Sequence, residues 1–270
     1  DRGDRDLLKG EKMFQNIYPV FEPKRLLKKE MLENLRDFPR ELFDLQYRGY
    51  SDGILWGCEM EGFEGGLKIM PGILYFKKIP YFLKKPFQIS CKAEGQLTYL
   101  KVRFLGKTNG VTHEEYLSQI YIDEQMPDSN CELELGRFKL QMGARLRTEY
   151  VNFQDYATEF DTMDRIHVPY AALGQHGIWP QLLKCFAKEL QHSSKQDMWD
   201  PAFCLSCLQL ERAMPYEAVR AYLNARLKQD KEYTNVQIYS ALGKILREAG
   251  EIESDFKSRK EEKNNMLLML

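Results

Sequence analysis

Gly49-Tyr50-Ser51-Asp52-Gly53-Ile54-Leu55-Trp56-Gly57-Cys58-Glu59-Met60-Glu61-Gly62-Phe63-Glu64-Gly65-Gly66-Leu67-Lys68-Ile69-Met70-Pro71-Gly72 holds seven glycines in twenty-four residues. They cut the chain into short apolar runs, Ile54-Leu55-Trp56 and Leu67-Lys68-Ile69-Met70. Ile73-Leu74-Tyr75-Phe76 follows and, after Pro80, Tyr81-Phe82-Leu83. Runs this short cannot complete a useful helix, and Gly or Pro at each end supplies the tight turns between strands. The stretch therefore predicts a compact β-module.

Downstream, Tyr99-Leu100-Lys101-Val102-Arg103-Phe104-Leu105 alternates as a half-buried strand does. Gly106 to Gly110 is expected to turn, because Asn109-Gly110 tolerates positive φ. Tyr116 to Asp123 returns as the antiparallel partner. Two further strands are expected, over Glu132–Leu135 and over Arg137–Met142. Residues 150–177 carry aromatics and acids without a clear period.

On either side the period changes to that of a helix. Leu27, Met31, Leu35 and Phe38 line one face from Lys24 to Phe38. Pro39 should end or kink that helix, with Arg40–Leu45 resuming it. From Ile178 four amphipathic helices are expected, with Asp200-Pro201 as the N-cap and first residue of the second. Gly250 is a plausible stop for the fourth. The predicted class is α+β: an N-terminal helix and mainly antiparallel β-module, then a C-terminal helical bundle. The expected organisation is a polar arm over 1–23, helix plus β-module over 24–175, a helical domain over 176–250 and a charged tail over 251–270.

Composition excludes several classes. With 39 basic and 40 acidic side chains, no global field attracts nucleic acid or anionic lipid, so nucleic acid is not an expected partner. No apolar run approaches the roughly 20 residues that span a bilayer, so no membrane partner is expected either, and a cytoplasmic location is. Six cysteines at irregular spacing do not make a disulfide framework.

Candidate chemistry fails motif by motif. Gly106-Lys107-Thr108 lacks the glycine that a phosphate loop needs five residues earlier, where Lys101 stands. Cys204-Leu205-Ser206-Cys207 has no second cysteine pair to complete a zinc site, and at i, i+3 on a helix both thiols belong to the core. None of His113, His167, His176 and His192 has another histidine or a cysteine three or four residues away, and His167, near Asp161 and Asp164, has no Ser or Cys in a nucleophile-elbow context. No catalytic residue, metal site or cofactor is expected, and the chain is read as a non-enzyme. Aromatics crowd residues 56–104. Either they form a core or they offer a platform for a partner; alternation favours the core, but Trp56, Tyr75 and Tyr81 are the candidate interaction residues. A carbohydrate-binding β-module and a nucleic-acid-handling protein without a complete helicase motor remain as alternatives.

The segment from Leu42 through Tyr50–Met60 to Leu67–Tyr75, with Cys131–Ala144 later, resembles phage tail-fibre and baseplate attachment proteins. Their layout is a helix, "G-I-(V/L)-x-G", and "(L/V)-x-(I/V)-x-P-G-(I/V)". The resemblance covers about residues 35–145. It implies that Gly53, Gly57, Pro71 and Gly72 form a turn signature around one buried strand. It also implies an oligomeric structural protein of a tail or baseplate, possessing partners among other tail proteins or copies of itself, and incorporation into a phage-like particle.

Overall fold

The computed structural model describes residues 16–110, 113–193 and 195–250. The fold is α+β: an N-terminal helix, antiparallel sheets, then C-terminal helices. Helix α1 is Lys29–Gln46; the strands are β1 (Gly53–Gly57), β2 (Met60–Phe63), β3 (Gly66–Ile69), β4 (Gly72–Phe76), β5 (Ile79–Leu83), β6 (Phe87–Ser90), β7 (Leu97–Asn109), β8 (Glu114–Asp123) and β9 (Glu132–Lys139). Helices α2 (Pro180–Gln191), α3 (Asp200–Leu208), α4 (Tyr216–Leu227) and α5 (235–250) follow. The chain divides into two compact units, Asp1–Arg48 and Gly49–Leu270. Residues 49–175 and 176–250 thus lie in one unit. The expected charged tail over 251–270 lies outside the described residues, as does the arm before residue 16.

Among the described residues of the second unit stand three antiparallel sheets of three strands, ordered β1-β4-β5, β2-β3-β6 and β8-β7-β9. Gly57 pairs with Gly72, so the two glycines end facing strands. Gly57 has φ +67°, and a Cβ on it would lie 2.3 Å from the Pro71 carbonyl oxygen. Gly53 is needed for contact: a Cβ there would meet the backbone of Pro169 and Ala171 at 2.6 Å. A Cβ on Gly72 would lie 2.4 Å from Cys58 Sγ. The glycines let backbones touch as much as they let the chain turn.

Four expectations need correction. α1 begins at Lys29, not Lys24; it does not end at Pro39 but takes in Arg40–Leu45, the residues expected to resume it. Gly106-Lys107-Thr108 lies inside β7, paired with β8; Gly106 absorbs a bulge at φ +85° and Lys107 Nζ meets Glu114 at 2.6 Å. Glu132–Lys139 is one strand, with a register shift against β7 where two strands were expected. α3 has nine residues and its N-cap is Trp199, so Asp200 is its first residue.

Residues 140–178, which include the stretch 150–177 without a clear period, act as a strap. Isolated bridges tie it to the sheets at Arg137 with Asp164, Lys139 with Phe160 and Ile54 with Tyr170. Ile54 N donates to Pro169 O at 2.9 Å, and Ala171 N returns a bond to Ile54 O at 2.9 Å. Its backbone bonds run to the sheets, between separated points of the strap itself (Arg147 with Thr162, Tyr170 with Gly177) and through isolated turns such as Thr158 N to Asp155 O, so no repeating period is written along it. Sheets, strap and helices share one core: Leu100, Leu135 and Phe138 belong to the same cluster as Met163, Leu183 and Phe186.

Polar groups are buried where they are matched. Lys101 is 1% exposed; its Nζ meets Asp123 at 2.7 Å, Glu132 at 3.3 Å and the Gln125 carbonyl at 2.9 Å. Burial alone raises the Glu132 carboxyl, but bonds from Tyr121, the Asp128 amide, Arg103 and Lys101 outweigh it and bring the group down to about 2. The folded carboxyl titrates below its ordinary value of 4.5. Its contribution is therefore complete above that pH and is lost as pH falls toward 2. Glu132→Gln is expected to cost about 2 kcal/mol at neutral pH, since it leaves buried donors under-satisfied. It should also flatten the acid limb of stability in urea titrations from pH 5 to 2; an unchanged limb would refute the assignment.

Candidate interaction surface

Among the described residues, helix α1 carries a long exposed apolar face. Glu30 in its first turn suits the helix dipole, and Lys29 and Glu33 pair at i, i+4 over 3.2 Å. Pro39 removes the N–H that would bond the Leu35 carbonyl, a defect of about 3 kcal/mol in an average helix, yet all 18 residues stay helical. None of them is buried. Leu35 is 57% exposed, Phe38 46%, Leu42 55% and Leu45 59%. These residues fall on one face, because spacings of three and four return to the same side of a helix. Moving such a side chain from water into a packed contact contributes about 1.5–3 kcal/mol, and contiguous apolar patches of this kind mark protein contacts.

Trp56 is exposed and Tyr75 and Tyr81 are buried. The register of β1 shifts between Ile54 and Trp56. Ile54 and Leu55 therefore both face inward and Trp56 turns out. It borders a shallow cleft with Glu59, Trp179, Pro180, Lys184 and Arg212. Tyr81 packs its ring 4.6 Å from Phe104, which stacks on Phe76 at 4.0 Å. Of the three candidate aromatics, one reaches the surface and two belong to the interior. Pro71 takes part through its carbonyl, which accepts from Cys58 N at 3.2 Å.

A second apolar feature lies between α3 and α4. A groove of about 670 Å³ is lined by Trp199, Ala202, Phe203, Leu210, Ala218 and Tyr222. Its floor is the stacked pair Phe203 and Tyr222, 3.7 Å apart. Cys204 and Cys207 face the core behind it, as their spacing implies. Burial pushes the Cys204 thiol up to about 11 and Cys207 higher still, so both stay protonated at neutral pH. Cys58 is raised to about 11, again chiefly by burial. All six cysteines are free. His167 lies 3.7 Å from Asp164; burial and Arg137 lower the imidazole while burial raises the carboxyl, so the pair leans toward its uncharged forms.

Among the described residues no group of three or more His, Cys, Asp or Glu side chains could hold a metal ion, and no helix is long and apolar enough to cross a membrane. Sequence reasoning missed the exposure of α1 beyond Pro39, although Leu42 and Leu45 continue the spacing of Leu35 and Phe38. It also missed the groove, whose walls come from two helices.

No protein-family model matches the chain, and no curated protein does. Among solved structures, the TssK–TssF–TssG baseplate subcomplex of the type VI secretion system aligns over 87% of this chain and 99% of the matched chain, at 10% identity and a TM-score of 0.43. The crystal structure of TssK aligns over 86% and 71%, at 8% identity and 0.37. The type VI secretion baseplate complex aligns over 86% and 100%, at 10% identity and 0.34. All three neighbours are baseplate proteins, and the likeness to them is loose.

Proposed function

We propose that this chain is a structural component of a phage- or prophage-derived tail or baseplate, working through protein–protein contacts and not through catalysis. The observation that carries the reading is the apolar face of α1, exposed along the whole helix. Small-molecule sites are concave, with a few convergent polar groups. A leucine-rich helical ridge is the opposite shape and suits a groove or a second helix on another protein. The kind of particle follows from the resemblance of residues 35–145 to tail-fibre and baseplate attachment proteins.

The test is Leu35→Asp with Leu42→Asp in the full chain, used as bait in lysate of the native cell. Wild type should retain tail or baseplate structural proteins, and the variant should retain at least about tenfold less. Neither side chain is buried, so the melting temperature should barely move. A wild-type bait that retains no such protein would overturn the proposal.

A further inference from the structure

We infer that α1 pairs with α1 of a second copy of this chain through a short coiled-coil seam. The inference rests on the assembly reading and names its partner. Met31, Leu35, Phe38, Leu42 and Leu45 follow one another at spacings of four, three, four and three. A period of 3.5 keeps one seam toward a facing helix, whereas packing on a globular core needs only the broader 3.6-residue stripe. Four of the five are exposed and Met31 is half-buried. Phe38, at the centre, keeps 46% exposure with the Tyr18 ring 6.3 Å away.

The flanks of the seam say which partner fits. The adjoining positions are Leu32, Asn34, Pro39, Glu41 and Gln46, and Glu41 is the only charge among them. Coiled coils that select a different partner place complementary charges there. Here the charges stand elsewhere, at Glu33, Arg36, Asp37, Arg40 and Asp44. Two identical helices therefore meet along the seam without like-charge repulsion. Pro39 lies beside the seam, so its ring takes no position among the interlocking side chains. The helix is about 27 Å long at 1.5 Å per residue, which gives five layers.

Sedimentation equilibrium on the full chain decides the matter. Wild type at roughly 50 µM should be dimeric, and Leu35→Asp with Leu42→Asp should weaken self-association at least about 100-fold. Glu33→Ala with Arg40→Ala, off the seam, should leave the dimer intact. A monomeric wild type overturns the inference, and so does an association equal in wild type and seam variant. The assembly reading is judged separately by the capture experiment. A monomer that still retains baseplate proteins through α1 removes the second copy as occupant and leaves that reading in place. A seam-dependent dimer that retains none supports the seam and sinks the particle assignment.

Discussion

Asp200→Ala is expected to lower the unfolding free energy by about 3–5 kcal/mol, the usual cost of breaking a buried ion pair from one side. Asp200 has no exposed surface. Its carboxylate accepts from the Tyr222 hydroxyl at 2.8 Å, from the Asp197 amide at 2.8 Å and from Arg226 Nε at 3.2 Å. Alanine removes every one of these acceptors. Arg226, 13% exposed, is left with Glu248 at 3.9 Å. The pair also links the first turn of α3 to α4, and an acid at that end suits the dipole of α3. A melting temperature roughly 10 °C lower should accompany the loss. Asp200→Asn keeps the shape and one acceptor for Tyr222, so it should fall between wild type and alanine. Urea denaturation of the three proteins checks the order; a loss below about 1 kcal/mol for alanine would show that the pair is not structural.

Gly57→Ala is expected to cost about 3–4 kcal/mol, from two sources. The residue sits at φ +67°, where a side chain costs about 1–2 kcal/mol. The new Cβ would also lie 2.3 Å from the Pro71 oxygen and 2.9 Å from Gly72 Cα. Forcing atoms into a packed contact costs about 1–3 kcal/mol more. Pro71 O cannot simply retreat, because it holds Cys58 N. Gly65→Ala separates the two sources: Gly65 has φ +76° with nothing within 4 Å of a Cβ, so it should show the backbone cost alone. If both variants lose equal stability, close approach contributes nothing at Gly57.

Much of the fold was legible because hydrophobic period and turn residues are local signals. The glycines of 49–72 marked the short strands, and the stripe through Leu27, Met31 and Leu35 marked a helix. The misreadings came where a single extra residue changes the phase. The register shift beside Leu55 turns Trp56 outward, and the bulge at Gly106 lets Lys107 and Thr108 stay in a strand. Period alone gives a strand two alternating faces and cannot show where they exchange. Pro39 marks an end or a kink because its cost is local, while what keeps α1 helical on both sides of it is not written beside it. Lys101 looked like the polar face of a strand; only the arrival of Asp123 and Glu132 from two other strands makes its burial affordable. The bridges that tie the strap over 140–178 to the sheets, Arg137 with Asp164, Lys139 with Phe160 and Ile54 with Tyr170, join residues far apart in sequence, which no window of neighbours contains. For the candidate surface, sequence gave the apolar stripe of α1 up to Phe38 but not that the face stays open.

β7 pairs with β8 as far as Asn109, but its pairing with β9 stops at Arg103. Beyond that rung the hairpin is a ribbon of two strands, and residues 105–109 are exposed. Two-stranded ribbons are marginal on their own, whereas Leu100 and Val102 are locked in the core. One continuous strand thus spans both ends of the hydrogen-exchange scale: its outer amides can fray singly, and its inner ones are released only with the whole unit.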